Sequence, residues 1–536
     1  MPAFLRRNSL ALAVLVLAAG LRLWLLDLRP PHFDEGVNGW FADQIQRNGA
    51  FRYDPTNYHG PLHFYALFLS KCLFGRNLWA LRGPVVLAGL ATVWLLLYPL
   101  RRFFPARMCL IAGLAMAVSP AFVYYHRDAI HETWLVLFMV MAFLGWVGLW
   151  QRRARADLWM FAAGLTGMVL TKETYAIHVG CALLAWPCAK IWGEAFPSHD
   201  PEIERGDPLT GRDIVLAAAS GVAVIVFFYS ATFFHFGDVR GLYLTFSAWA
   251  HTGAENKGHV KSWSYWLGLM ARYEWFTLLG LAASFRYLLA AADSRLRGLS
   301  IYALGVLTAY TIIPYKTPWC VISIAWPFLL LGAAWVAEWM DVVSVSRWPV
   351  WVARAGAMTV VLGLGAASAV RTWRLNFHDY ANEHEAYVYV QTFENLANFT
   401  EPVLDLARTD ARNLHLRGFI VAKSSYPVPW LLGDFTRVGY YRPRRPLPAE
   451  APDFVLVTRD RLAEVEARLH EPYFREAVQL FPGAPHATSF LRASVFAPLM
   501  EGRTPEFVPG AAEPEATPAE PIDADETEED TSPGSR

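Results

Sequence analysis

The chain is poor in charge and in cysteine, and it lacks the short signatures of soluble catalysis. Charged residues make up only 18% of it, against roughly 25% in soluble domains. With 54% apolar content and a mean hydropathy of +0.25, that scarcity excludes an ordinary soluble enzyme, although 536 residues would otherwise suggest several globular domains. The five cysteines (Cys72, Cys109, Cys181, Cys188, Cys320) have no metal-ligand spacing, and none lies beyond position 320. No disulfide framework or zinc cluster is implied. No P-loop, dinucleotide-binding glycine pattern or HExxH is present, and the basic residues sit mostly in short loops, which argues against a nucleic-acid partner.

What the chain has instead is long apolar runs. A membrane span needs about 20 apolar residues. Eleven segments qualify: 9–27, 82–100, 107–125, 133–150, 158–174, 176–192, 213–234, 264–284, 298–314, 319–338 and 351–370. The first follows Arg6 and Arg7 and lacks a convincing cleavage site, so it reads as an uncleaved helix with a cytoplasmic N-terminus. Loop charges agree with that count. RRFFPAR, QRRARAD and the 286–297 loop with its three arginines all fall on the cytoplasmic side, as the positive-inside rule requires.

The opposite face receives the loop 28–81, the loop 235–263 and everything after about 371. Within the first loop, PLHFYALFLSKCLFG is too short to span and suits a helix lying along the interface. Residues 371–500 mix helical patterns (384–407, 459–470) with β-branched runs, FIVA and FVLV, which predicts a small extracytoplasmic α/β domain. The division expected is thus a transmembrane domain at 1–370, this domain at 371–500 and a tail at 501–536. The tail carries eleven carboxylates against Arg503 and Arg536, and its composition predicts disorder. The net charge of zero is therefore a cancellation between a basic membrane body and an acidic tail.

Ionisable residues recur at the outer ends of these spans. Asp34-Glu35 follows the first helix. The pair is either a hydrated helix boundary, or it orients or deprotonates an acceptor hydroxyl or holds a cation that balances phosphate charge. Tyr58-His59-Gly60-Pro61 turns the chain into the interfacial stretch. Tyr125-His126-Arg127-Asp128, with His131 and Glu132, crowds one helix hairpin. It is either an internal salt bridge or a phosphate contact through Arg127. Lys172-Glu173 and Ile313-Pro314-Tyr315-Lys316-Thr317-Pro318-Trp319 repeat the theme. Arg272 and Glu274 are expected to neutralise one another toward the bundle interior. An anionic lipid headgroup presented at one membrane face would account for all these groups together. An ion path would too, but transporter sites usually lie near the midplane. The many tryptophans read as interface anchors.

Several passages are similar to a known family: HFDEGVNGWFA, YHGPLHFY, LFG…ALRGPVVLAGLATVWLLLYPLRRFF and IPYKTPW. Over roughly residues 9–340 the chain resembles the GT-C superfamily of polyprenyl-phosphate-sugar-dependent glycosyltransferases, in the branch of protein O-mannosyltransferases and lipid A aminoarabinose transferases. It looks most like the group named after a flippase-activity-associated archaeal glycosylation protein. The resemblance implies a GT-C-type bundle of about eleven transmembrane helices in the cell membrane, with a small C-terminal extracytoplasmic α/β domain. It implies a polyprenyl-phosphate-sugar donor and sugar transfer, with inversion, to a protein, lipid or glycan acceptor outside. Asp34 would be the catalytic base, with Glu35 beside it. His59, Arg127, Asp128, Glu132, Lys172 and Lys316 would hold the donor phosphate and sugar. Some members of the superfamily bind a divalent metal near this site, and no ligands are assigned here. Relatives often carry Lys-Pro-Pro where this chain has His59-Gly60-Pro61. The alternative reading is a lipid-linked glycan flippase, or a flippase-associated protein without transferase activity.

Overall fold

The computed structural model describes residues 3–57, 59–197, 209–254, 259–290, 292–341, 350–442 and 444–507. Tyr58 and the acidic stretch from 508 onward lie outside these residues. The chain groups into two units, Met1–Leu28 with Gln44–Tyr389, and Arg29–Asp43 with Val390–Arg536.

The first unit is helical. It contains α1 (Ala3–Leu23), the end of α2 (Phe33–Asn48), α3 (Leu62–Phe74), α4 (Leu78–Leu97), α5 (Ala106–Val118), α6 (Pro120–His126), α7 (Glu132–Gln151), α8 (Arg155–Val169), α9 (Tyr175–Ala195), α10 (Gly211–Tyr229), α11 (Gly241–Ala254), α12 (Tyr265–Tyr273), α13 (Trp275–Leu289), α14 (Ser294–Ile312), α15 (Val321–Asp341) and α16 (Val350–Phe377). Helices occupy all eleven of the segments expected to span. Among the described residues six are long and apolar enough to cross a membrane, or seven if the α5–α6 pair, bent by 62°, is one span. The protein is a polytopic α-helical membrane protein. Two of the segments outside that count are short as single helices for local reasons. α8 has only 15 residues, about 22 Å of helix against a core near 30 Å. The segment 264–284 is broken between α12 and α13 at Glu274.

Burial sorts the spans. In the 18-residue apolar window of Pro318–Asp341 94% of the residues are buried inside the protein, whereas the corresponding windows of Tyr175–Ala195, Gly211–Tyr229 and Val350–Phe377 are 11%, 6% and 11% buried. The last three present apolar surface outward, as lipid-facing helices do. α7 and α8 pack through small residues. A Cβ on Gly145 would lie 2.3 Å from the Phe161 backbone nitrogen, and one on Gly164 would lie 2.4 Å from that of Ala142.

The expected Arg272–Glu274 pair does not form. Arg272 reaches the Glu385 carboxylate at 3.3 Å. Glu274 accepts from the Ser119 hydroxyl at 2.5 Å and the Ala121 amide at 2.8 Å. Glu274 sits in the non-helical break between α12 and α13, which turns its carboxylate away from Arg272 in the last turn of α12. The free amides at the start of α6 attract the carboxylate instead.

The second unit carries a six-stranded sheet: β1 (Arg417–Val421), β2 (Arg437–Tyr441), β3 (Phe454–Thr458), β4 (Pro472–Val478), β5 (Ala487–Arg492) and β6 (Glu506–Phe507). The spatial order is β2-β1-β3-β5-β4-β6. β1 pairs in parallel with both β2 and β3, and the remaining pairings are antiparallel. The run FVLVT of β3 is buried throughout, which explains its continuous apolar character. The helical pattern expected over 384–407 is realised only as α17 (Ala397–Thr409). Residues upstream form turns and a short 3-10 segment, with the Phe393 amide donating to the Leu480 carbonyl rather than continuing a helix.

Candidate functional site

Two motifs far apart in sequence meet in the first unit. His59 bridges Lys172 in antiparallel fashion. The Gly60 amide donates to the Thr171 carbonyl at 3.0 Å, and the Leu62 amide to that of Leu170 at 3.1 Å. A Cβ on Gly60 would sit 2.3 Å from the Leu170 carbonyl carbon and oxygen, so only glycine lets the two segments approach this closely. Pro61 lacks an amide hydrogen, and Leu62 then opens α3.

The pairing assembles an ionic floor. The Lys172 ammonium donates to the Glu132 carboxylate, and the Cys320 sulfur lies 3.9 Å from it. His59 Nδ1 is 3.0 Å from Glu173 Oε2. The buried ammonium thus stands among carboxylates, bonded to Glu132 and next in sequence to Glu173.

Behind His59 stands a stack of imidazoles. His131 lies 4.6 Å from His59 and 4.5 Å from His63, centroid to centroid. His63 is spent on both nitrogens: Nε2 meets the Ala129 carbonyl at 2.9 Å, and Nδ1 accepts from the Trp134 indole at 3.2 Å. That fixes a neutral tautomer. His131 is buried, its Nε2 has no hydrogen-bond partner among the described residues, and burial drives its pKa well below 6.5. These donors do not fit a metal ion. Among the described residues no group of three or more His, Cys, Asp or Glu is arranged to hold one.

Above the floor opens a cavity of about 380 Å³. His59, Lys172, Glu173, Thr174, Thr317 and Cys320 supply its polar lining, and Trp249, Trp266, Tyr310, Tyr315 and Trp319 its aromatic wall. The segment 313–317 is held in place by backbone pairing. Val260 bridges Tyr315, the Lys316 amide donates to the His259 carbonyl at 2.9 Å, and the Lys261 amide donates to that of Pro314 at 3.3 Å. Lys316 lies in this segment, but its ammonium donates to the Ile313 carbonyl at 2.6 Å, and burial lowers its pKa.

His59, Glu132 and Lys172 are thus brought together, with Lys316 in a neighbouring loop. Arg127 is placed differently. Its guanidinium donates to the carbonyls of Leu21, Arg22, Trp24 and Leu25 at 2.6–3.2 Å, and it stacks over the Phe377 ring at 4.8 Å. It caps the carbonyl end of α1. Arg22 returns the contact. It donates to His126 Nδ1 and to the carbonyls of Met116 and Ala117 at 3.0–3.1 Å. Asp128 is buried at the same corner.

Asp34 and Glu35 belong to the second unit. Both lie in the first turn of α2. Glu35 is fully buried and accepts from the His32 amide at 2.8 Å, the reciprocal half of a capping box. The Asp34 amide is held by His32 Nδ1 at 3.0 Å, while its partly exposed carboxylate makes no hydrogen bond among the described residues. The helix is seated on the loop after β1. Phe33 packs on Tyr426 and Phe481, each at 5.6 Å. A Cβ on Gly36 would lie 2.5 Å from Pro427 Cα, and one on Gly39 would lie 2.3 Å from the Trp430 ring.

Sequence reasoning did not assign Glu173, Thr174, Cys320 or the aromatic wall to the site. Glu173 adjoins an assigned lysine, and Trp319 closes a motif already singled out, so adjacency was the available signal. Trp249 and Trp266 offered none, since an anchor and a cavity wall have the same composition.

With this geometry in view, residues 58–194 match the family described as dolichyl-phosphate-mannose-protein mannosyltransferase. That stretch carries His59, Glu132, Lys172 and Glu173. No curated protein sequence matches the chain. Among solved structures, the chain is similar to ArnT from Cupriavidus metallidurans bound to undecaprenyl phosphate: TM-score 0.59, 16% identity, 92% of this chain and 99% of that one. The apo state of the same protein aligns with TM-score 0.58 at 17% identity, with the same coverage of both chains. At such identity the likeness is one of fold, and it runs through nearly the whole of both chains.

Proposed function

We propose that the protein is a GT-C-type membrane glycosyltransferase that moves a sugar from a polyprenyl-phosphate-linked donor to an acceptor on the extracytoplasmic face. The reading keeps eleven spans, a cytoplasmic N-terminus and an outer C-terminal domain. The observation that carries it is the cavity at the Gly60–Leu170 pairing, where aromatic walls stand over His59, Lys172 and Glu173. Its fit to a glycosyl phosphate is chemical. Aromatic faces suit the apolar face of a sugar ring, and a buried ammonium suits phosphate oxygens. The likeness of fold to a protein holding undecaprenyl phosphate supports the lipid class.

The reaction assigned is a single displacement. The acceptor oxygen attacks the anomeric carbon, the bond from that carbon to the phosphate oxygen breaks, and configuration inverts. Asp34 takes the acceptor proton, and polyprenyl phosphate leaves as the anion. Of the two adjacent carboxylates Asp34 is assigned the base, because Glu35 is committed to its cap. His59, Lys172 and Lys316 are assigned to donor phosphate, with Glu132 holding Lys172. Arg127 is assigned to holding the α1 corner. No step is routed through a metal.

Purified protein incubated with radiolabelled polyprenyl-phosphate sugars and candidate acceptors tests the reading. Asp34→Asn should lower turnover by about 10²–10⁴-fold, the usual contribution of a general base, with unchanged thermal unfolding. Near-wild-type turnover in that variant would sink the assignment of Asp34. Absence of transfer from every donor by the wild type would sink the function.

A further inference from the structure

One part of the charge pattern has no role in the reaction just described. β1 pairs in parallel with β2 and β3, so all three strands leave the sheet at one edge. The chain emerging there carries Lys423 after β1, Arg442, Arg444 and Arg445 after β2, and Arg459 and Arg461 after β3. Facing these six cations are Asp460 and Glu464, and Glu464 is paired with Arg461. Arg444, Arg445 and Arg459 are exposed, and Arg445 stands over the Tyr441 ring at 5.9 Å. The carboxyl edge of parallel strands is where open α/β sheets hold anionic ligands.

The same unit continues past β6 into a segment of opposite sign. Residues 508–536 carry nine carboxylates, the densest run being Asp523, Asp525, Glu526, Glu528, Glu529 and Asp530, with Arg536 as their single cation. β6 sits at the other side of the sheet, with Phe507 opposite Pro472. Six strands put β2 about 24 Å away, and a five-residue strand adds about 17 Å lengthwise. The 23 residues from Phe507 to Asp530 span up to about 75 Å, so length is no obstacle.

We propose that the acidic segment 508–536 docks in cis on the basic carboxyl edge of β1, β2 and β3. Single exposed ion pairs are weak, but several made at once by a tethered segment benefit from an effective concentration of order millimolar. Docking would cover the edge next to the loop on which α2 and Asp34 are seated. The proposal does not depend on the transferase reading.

The test uses the full chain with a protease site inserted after Phe507 and cut after purification, so the protein folds whole. A fluorescent peptide of residues 508–536 is titrated into the cut protein and followed by anisotropy. Saturable binding is expected, weakening at least about tenfold between 50 and 300 mM salt as the Debye length shortens. Uncut protein should bind the peptide at least about tenfold more weakly, its own segment holding the edge. The R444E/R445E/R459E protein, cut likewise and unfolding at the parent temperature, should also lose at least about tenfold. Equal peptide binding by cut and uncut protein, or by parent and charge-reversed protein, would overturn the proposal. So would tail-dependent dimerisation in light scattering, which would place the segment on a second copy. Equal binding of cut and uncut protein to phosphatidylglycerol vesicles, lost on reversing the same arginines, would assign the edge to lipid instead.

Discussion

Lys172 and Arg127 invite comparison, because they are cations of the same unit in loops at helix ends and are almost equally buried, at 5% and 4% exposure. What separates them is their partners. Arg127 spends its fork on four main-chain carbonyls at the end of α1, and those groups would otherwise be orphaned. Lys172 is balanced by a carboxylate that is itself buried, and it lines a cavity. One cation completes secondary structure. The other is held charged beside empty space.

The largest effect that would sharpen this contrast concerns the Lys172–Glu132 pair. Lys172→Ala should destabilise the protein by about 3–5 kcal/mol, because it strands a buried carboxylate. Lys172→Met combined with Glu132→Gln should recover most of that loss in thermal unfolding yet restore no sugar transfer. Transfer restored in the double variant would make Lys172 a structural cation like Arg127. Next comes Arg127→Met, expected to cost about 2–3 kcal/mol through unsatisfied carbonyls, with transfer per folded molecule and the KM for donor within about threefold of wild type. A large rise in KM at unchanged stability would move Arg127 into the site.

Third is a pH effect. His131 has a folded pKa below its unfolded value of 6.5, so the unfolded chain binds the extra proton. The contribution of His131 is therefore full above pH 6.5 and is lost as pH drops below it, by at most about 1.4 kcal/mol per pH unit. His131→Phe should flatten that limb between pH 6.5 and 5. An unchanged slope would refute it. Glu385 does not confound the window. Burial raises its pKa, but Tyr273 and Arg371 outweigh this and bring it below 4.5, so its contribution is present above that pH and lost only in stronger acid. The smallest effect belongs to an exposed pair. Arg52→Ala, which removes the contact with Asp238, should shift stability by less than about 1 kcal/mol. A larger shift would mean that the pair orders the outer loop.

Much of this was legible from residues alone, and the reasons differ by element. Every one of the eleven apolar segments carries a helix, because an apolar run of that length admits little else. Gly60-Pro61 was recognisable as a turn, but not that its partner is Leu170, since nothing local encodes a contact 110 residues away. The four carbonyls bound by Arg127 lie more than a hundred positions upstream, so a hairpin rich in charge could be read equally as lock or as clamp. The Arg272–Glu274 pairing followed from proximity in sequence and failed because the helix breaks at Glu274, whose carboxylate is taken by the start of α6.

Apolar run length and loop charge settle that this chain lives in a bilayer as a helical bundle with a β-containing unit after it. Those properties depend only on transfer free energy and local hydrogen bonding, which each segment carries with it. Which buried cation faces a cavity and which caps a helix, and which of Asp34 and Glu35 keeps a carboxylate unengaged, were decided by tertiary packing. A charged group's role depends on the partners left after folding, and those partners arrive from elsewhere in the chain.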